Sequence, residues 1–255
     1  MNSIVNTSWD PSLIALSFAF AVIGSFVALT AANRLTNRRG ALDWTNVLAV
    51  GVALGGVGVW SMHFIGMLAL QMDVGSSYSM LETFTSLAVA VAATAWSVSF
   101  AARNPGSLPR LLLAGTGLGL SVVVMHYLGM YGLKIYGFIT WNIPLVAGSM
   151  LIAVVAATAA LWLAFNSPTL GRRVGASLAM GVAVCAMHYT GMAAAEFVCT
   201  TPERSAIPQG SGFIPSFRLE MLVIASTGML TAVLALDQLY QRLRSRVGRA
   251  QPQRA

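Results

Sequence analysis

Seven long stretches of this chain carry almost no charge, and polar residues separate them at short intervals. The apolar stretches are 11–33, 44–72, 83–102, 111–133, a span around 144–165, 174–195 and 221–236, bounded by charged residues such as Asp10, Arg34, Asp43 and Asp73. Most exceed the roughly 18–20 residues a helix needs to cross a hydrocarbon core of ~30 Å. The pattern predicts seven transmembrane helices. The last is short by charge alone, and extends to about 217–240 when Glu220 and Asp237 are set near the two water interfaces.

Composition points the same way. With 56% hydrophobic residues, 9% charged residues and a mean hydropathy of +0.73, the chain lacks the charged surface that water requires. The expected fold is all-α, a polytopic membrane protein of seven helices. Of the 15 basic residues, Arg34, Arg38, Arg39, Arg103, Arg110, Arg172, Arg173 and the tail arginines 242, 244, 246, 249 and 254 fall on one set of loops. That side is expected to be cytoplasmic. The opposite loops hold Lys134, Arg204 and Arg218 with six of the eight acids, which places the amino terminus outside and the carboxyl terminus inside. Residues 1–240 then form one membrane domain and 241–255 a basic cytoplasmic tail. The pI of about 10.1 suggests anionic lipid headgroups as partners rather than nucleic acid, because the basic residues sit in short loops beside the spans. No basic region or small-residue cleavage site accompanies the first apolar run, so it reads as a retained helix rather than a signal peptide.

The chain has three histidines, and each stands in one repeated frame: Met62-His63-Phe64-Ile65-Gly66-Met67, Met125-His126-Tyr127-Leu128-Gly129-Met130 and Met187-His188-Tyr189-Thr190-Gly191-Met192. The intervals of 63 and 62 residues define an internal repeat of about 62 residues. The second, fourth and sixth helices all run outward, starting near Trp44, Pro109 and Arg172, and each histidine follows 16–19 residues later. At ~1.5 Å per residue that is about 24–28 Å. All three imidazoles are therefore expected at one level near the outer surface.

Positions identical in the three repeats define a face. They are glycine at minus seven (Gly56, Gly119, Gly181), methionine at minus one, glycine at plus three and methionine at plus four from the histidine. At ~100° per residue these project within about 140° of arc that includes the histidine. The glycines are expected to clear bulk where helices approach. The plus-four methionines, one turn from the histidines, can face the same site. The minus-one methionines lie toward the edge of the arc, as ligands of second rank or as packing.

Intramembrane histidine is costly and marks function by default. Three imidazoles with six thioethers form a soft-metal ligand set: His63, His126, His188, Met62, Met67, Met125, Met130, Met187 and Met192. Thioethers favour Cu(I), so copper is the expected ion. Zinc suits three histidines with an open position but leaves the methionines unexplained, and haem could take axial ligands from two of the histidines or from a histidine and a methionine. Cys185, three residues before His188, is either a small core residue or an added soft ligand, and Cys199 reads as a free thiol. Phe64, Tyr127 and Tyr189 read as interface anchors or packing groups rather than catalysts. Gln71, Lys134 and Glu196 share the plus-eight position and read as solvated helix ends, and the 200–215 segment reads as an ordinary connection.

The repeated frame resembles the MHYT family, integral membrane sensor modules of bacteria, and Met187-His188-Tyr189-Thr190 matches its name letter for letter. The second repeat has Leu128 in place of threonine and the first reads Met-His-Phe-Ile. The resemblance covers about residues 10–240. It implies a bacterial inner-membrane sensor that binds copper through methionine, histidine and cysteine and responds to oxygen, carbon monoxide or nitric oxide. About 15 residues follow the seventh span, too few for an enzyme domain, so a non-enzymatic module signalling to a separate cytoplasmic partner is expected. The competing readings are copper transport or delivery, which needs ligands at several depths, and a membrane haem or metal oxidoreductase.

Overall fold

Asp10 fixes where the first helix starts. Its carboxylate accepts the free N–H groups of Ser12 (2.8 Å) and Leu13 (3.4 Å), and Pro11 sits in the first turn, where its missing N–H costs nothing. Asp43, Asn142 and Thr169 cap three other helices the same way. The computed structural model describes residues 3–36 and 40–250, so Arg38, Arg39, Arg254 and the end of the expected tail lie outside the described residues.

Among the described residues there are seven helices long and apolar enough to cross a membrane: α1 (Pro11–Ala32), α2 (Trp44–Leu68), α3 (Met80–Ala102), α4 (Leu108–Gly132), α5 (Ile143–Asn166), α6 (Leu170–Ala193) and α7, whose apolar part is Ser216–Gln241 and which continues to Ala250. The protein is a multi-pass membrane protein with the expected helix count. α1 to α6 form a closed ring in which each helix packs on the next and α6 returns to α1. α7 lies outside that ring, against α2 and α1. That cover encloses α2: 89% of its apolar window is buried, against 39% for α4 and 28% for α6.

Glycine decides how closely the ring closes. A Cβ on Gly119 of α4 would strike the backbone of Val154 on α5, and one on Gly181 of α6 would meet Val22 of α1, as their minus-seven positions predict. In α2 the close approach to Ala90 of α3 is made instead by Gly55, and Gly56 has only ordinary contacts. The reason is local: Gly51–Ser61 winds as a π-helix, a wider turn that shifts the facing residue. α1 meets α2 where Gly24 lies on the backbone of Gly58 and Ala53. Gly24→Ala should therefore lower stability by about 1–3 kcal/mol, because backbone cannot move aside as a side-chain tip does. Gly228→Ala, which meets nothing within 4 Å, should be neutral or stabilising; thermal unfolding in detergent compares the two.

Eight short strands, which an all-helical expectation did not include, gather on the face where α1 starts and α2, α4 and α6 end. β2 (Thr7–Trp9) pairs antiparallel with β3 (Leu70–Met72), β4 (Ser77–Ser79) with β5 (Leu133–Lys134), and β6 (Gly137–Trp141) with β7 (Ala195–Cys199). Each pair joins the start of one helix to the end of the next, so every repeat is a helical hairpin laced across its open end. β1 (Ser3–Ile4) extends the β6–β7 pair and β8 (Phe213–Pro215) extends the β4–β5 pair. Gln71, Lys134 and Glu196 therefore sit in strands rather than at solvated helix ends. Much of the 200–215 segment is tied down: β8 pairs with β4, the Pro208 carbonyl accepts from Ser77 (2.8 Å), and Arg204 binds Asp73 (2.6 Å). The Asp73 carboxyl is correspondingly held below its ordinary range, first by its hydrogen bond from Arg204 and then by that from Asn6.

Candidate metal centre

α2, α4 and α6 bring His63, His126 and His188 to the middle of the ring, all with no solvent exposure. Their Nδ1 atoms converge: His63 to His126 and His63 to His188 are each 3.1 Å apart, and His126 to His188 is 3.3 Å. The rings stand edge to face, with interplanar angles of 70–87°. Three protons cannot all occupy the space between those atoms, so Nδ1 lone pairs must point inward there. Each outer Nε2 has no hydrogen-bond partner among the described residues. At most one of the three can point a proton inward, so at least two Nδ1 lone pairs face each other in a dry interior, and a cation at the centre relieves their repulsion.

The fit to an ion is close. Metal–imidazole bonds of about 2.0–2.1 Å in tetrahedral array separate the nitrogens by about 3.3–3.4 Å. The observed 3.1–3.3 Å needs only a slight opening. Among the described His, Cys, Asp and Glu side chains these three histidines form the one group close enough to share an ion, and Cys185 is not in it. Both cysteines are free thiols, with Cys199 buried in β7.

The plus-three glycines have a sharper role than helix clearance. A Cβ on Gly129 would fall on Nε2 of His63, one on Gly191 on Nε2 of His126, and one on Gly66 on Nε2 of His188. Each imidazole is thus seated against the glycine of the following repeat, cyclically around the ring. The aromatic after each histidine continues the scheme. Phe64, Tyr127 and Tyr189 stand edge-on to their own histidines at 4.8–4.9 Å, and touch Tyr78, Trp141 and Trp9 on the next hairpin. The Tyr127 hydroxyl meets Ser149 (2.7 Å) and that of Tyr189 meets Ser17 (2.9 Å). Phe64 has no hydroxyl, and the matching Ser86 takes the indole N–H of Trp60 instead (3.1 Å).

All six motif methionines are buried, on two sides of the histidine layer. Met67 and Met130 line separate clefts open toward the strand face, whereas Met187 lines a small apolar cavity on the other side. That cavity, about 40 Å³, is walled partly by Val59, Val122 and Val184. These valines stand at minus four in every repeat, a further position identical in all three. Ser17, Ser86 and Ser149 were legible as well, each seven residues after a helix cap, but only contact with the aromatics gives them meaning.

A sequence model of the MHYT family, described as a bacterial signalling protein N terminal repeat, matches residues 1–42, 56–114, 119–177 and 181–248. The chain is 35% identical over 248 residues to the bifunctional diguanylate cyclase/cyclic di-GMP phosphodiesterase MucR of Pseudomonas aeruginosa, covering 94% of this chain and 35% of that protein. It is 34% identical to the cyclic di-GMP phosphodiesterase NbdA of the same species, covering 90% of this chain and 29% of the relative. It is 30% identical to the signaling protein YkoW of Bacillus subtilis, covering 76% and 25%. The chain thus spans about a third or less of the length of these relatives. No solved structure matches it.

Proposed function

This chain belongs to the MHYT family of bacterial signalling repeats, and we infer that it is a sensor module of the bacterial inner membrane whose three repeats hold one redox-active metal ion. The observation that carries this is the convergence of three buried Nδ1 atoms within 3.1–3.3 Å, one from each repeat. His63, His126 and His188 are the ligands. Copper is the ion: imidazole alone would serve zinc equally, but thioethers bracket the histidine layer and favour Cu(I). Met62, Met67, Met125, Met130, Met187 and Met192 supply that soft surrounding and any further ligand. Nitrogens this close on one side leave no gap for a haem between any two of them, which argues against the haem reading.

When bound, copper would supply a redox couple and affinity for a diatomic gas. The chain's own residues shape access to it. The apolar cavity of about 40 Å³ beside Met187 exceeds the minimum for one small molecule, and its walls offer almost nothing polar to hold water. Oxygen, carbon monoxide or nitric oxide dissolved in the bilayer suit such a space. The signal passes to a cytoplasmic partner, in keeping with relatives that are cyclic di-GMP enzymes and of whose length this chain matches about a third.

Metal analysis of protein purified without added metal is the test. Wild type should carry about one copper per chain, and the chain with His63→Ala, His126→Ala and His188→Ala none. Equal copper in both overturns the metal reading. A Soret band would replace copper with haem, and metal accumulation in proteoliposomes would replace sensing with transport.

A further inference from the structure

A buried ion must reach its ligands, and the repeats are not equivalent at the strand face. Two of the clefts there each carry a plus-four methionine in their walls. One, about 560 Å³, lies between the end of α4 and β6, with Met130 among its walls, and is otherwise aromatic and aliphatic apart from Lys134. The Lys134 ammonium lies 4.2 Å from the Tyr131 ring centre and 3.3 Å from Glu82, and no carboxylate lines that cleft. The other, about 450 Å³, lies between the starts of α1 and α7 and the end of α2. Its walls carry two carboxylates, Asp10 and Glu220, and two thioethers, Met72 near the mouth and the buried Met67 four residues after His63.

The plus-eight position separates the two clefts. Lys134 in the Met130 cleft is paired with Glu82, so that cleft offers a cation no free carboxylate, whereas the neutral Gln71 occupies the equivalent place beside Met67. The third counterpart, Glu196, lies in β7 and engages Thr140 (3.2 Å). Asp10 spends Oδ1 on the helix cap and keeps Oδ2 without a hydrogen bond among the described residues, and Glu220 has no hydrogen bond or ion pair there either. The cap, led by the Ser12 hydroxyl, also holds the Asp10 carboxyl below its ordinary value, so it stays anionic.

We propose that the cleft between α1, α2 and α7 is the admission site for a soft monovalent cation of the Cu(I) class, which the Asp10 and Glu220 carboxylates attract and Met72 and Met67 pass inward to the histidines. This rests on the metal reading above. The carboxylates supply attraction, worth about 10-fold or more in association rate at low ionic strength. The thioethers supply exchangeable soft ligands that favour Cu(I) over harder ions.

Ag(I), a redox-stable stand-in for Cu(I), tests this on the full chain in nanodiscs, with loading stopped by excess chelator at timed intervals and bound metal counted by mass spectrometry. Asp10→Asn keeps the cap acceptor and Glu220→Gln keeps the shape. Together they should slow loading about tenfold at low salt, by less at high salt, and reach the wild-type silver content in the end. Met72→Leu should slow loading with the same endpoint, and Lys134→Gln should not slow it. Wild-type loading rates in the double carboxylate variant overturn the proposal, as do wild-type rates in Met72→Leu. Less silver at the endpoint in Met72→Leu would make Met72 a ligand of the centre and overturn the relay. A wild type that takes up no silver overturns the metal reading itself.

Discussion

His188→Ala alone is expected to remove essentially all bound metal rather than a third of it. Were each repeat to hold its own ion, through its histidine and flanking methionines, one substitution would leave two sites intact. The Nδ1 atoms of the three repeats lie within 3.3 Å of one another, too close for three separate cations and right for one shared ion. Losing one of three strong ligands leaves two imidazoles, and structural metal sites held by fewer strong ligands bind far more weakly. Metal content of His63→Ala, His126→Ala and His188→Ala, measured singly, should fall to the same near-zero value. Two thirds retained in each would show three independent sites.

Gly129→Ala should damage the centre almost as severely, although Gly129 donates no ligand and belongs to a different repeat from the histidine it affects. The added methyl would occupy the position of the His63 Nε2 edge, and the imidazole would have to swing off its Nδ1 direction or α4 would have to retreat from α2. Overpacking of this kind costs about 1–3 kcal/mol in stability. Its larger effect is on metal content, which depends on placing a nitrogen to within a few tenths of an ångström. A double-mutant cycle identifies the partner. Gly129→Ala combined with His63→Ala should restore most of the lost stability, because the ring it strikes is gone, whereas Gly129→Ala with His126→Ala of the same repeat should be close to additive. Additivity with both histidines would refute the cyclic seating.

Charge and apolar length report solvent directly, which is why seven spans and the shared level of His63, His126 and His188 were legible from the chain. The repeated frame likewise pointed to the three histidines that meet, since identical spacing on parallel helices leaves few other meeting points. Other features were invisible for identifiable reasons. Strands of two to five residues, such as β5 and β6, carry too little pattern to stand out, and their partners lie far off in sequence. Gln71, Lys134 and Glu196 therefore looked like helix ends. Gly66, Gly129 and Gly191 did look like sites of close approach, but which group approaches depends on the neighbouring repeat. Val59, Val122 and Val184 were as plainly repeated as the glycines, yet a buried valine carries no chemistry until a cavity lies beside it.

By itself the sequence determined the solvent, the number of spans, the threefold repetition and the three histidines, because each follows from hydropathy, charge or periodicity along one chain. Only the tertiary structure decided that Nδ1 is the atom presented, that every imidazole rests on the glycine of the following repeat, and that α7 packs against α2 and α1. Those are relations between helices, set by the closing of a six-helix ring and the packing of side chains across it. Hydropathy and spacing along a single helix hold no information on which neighbour it will meet.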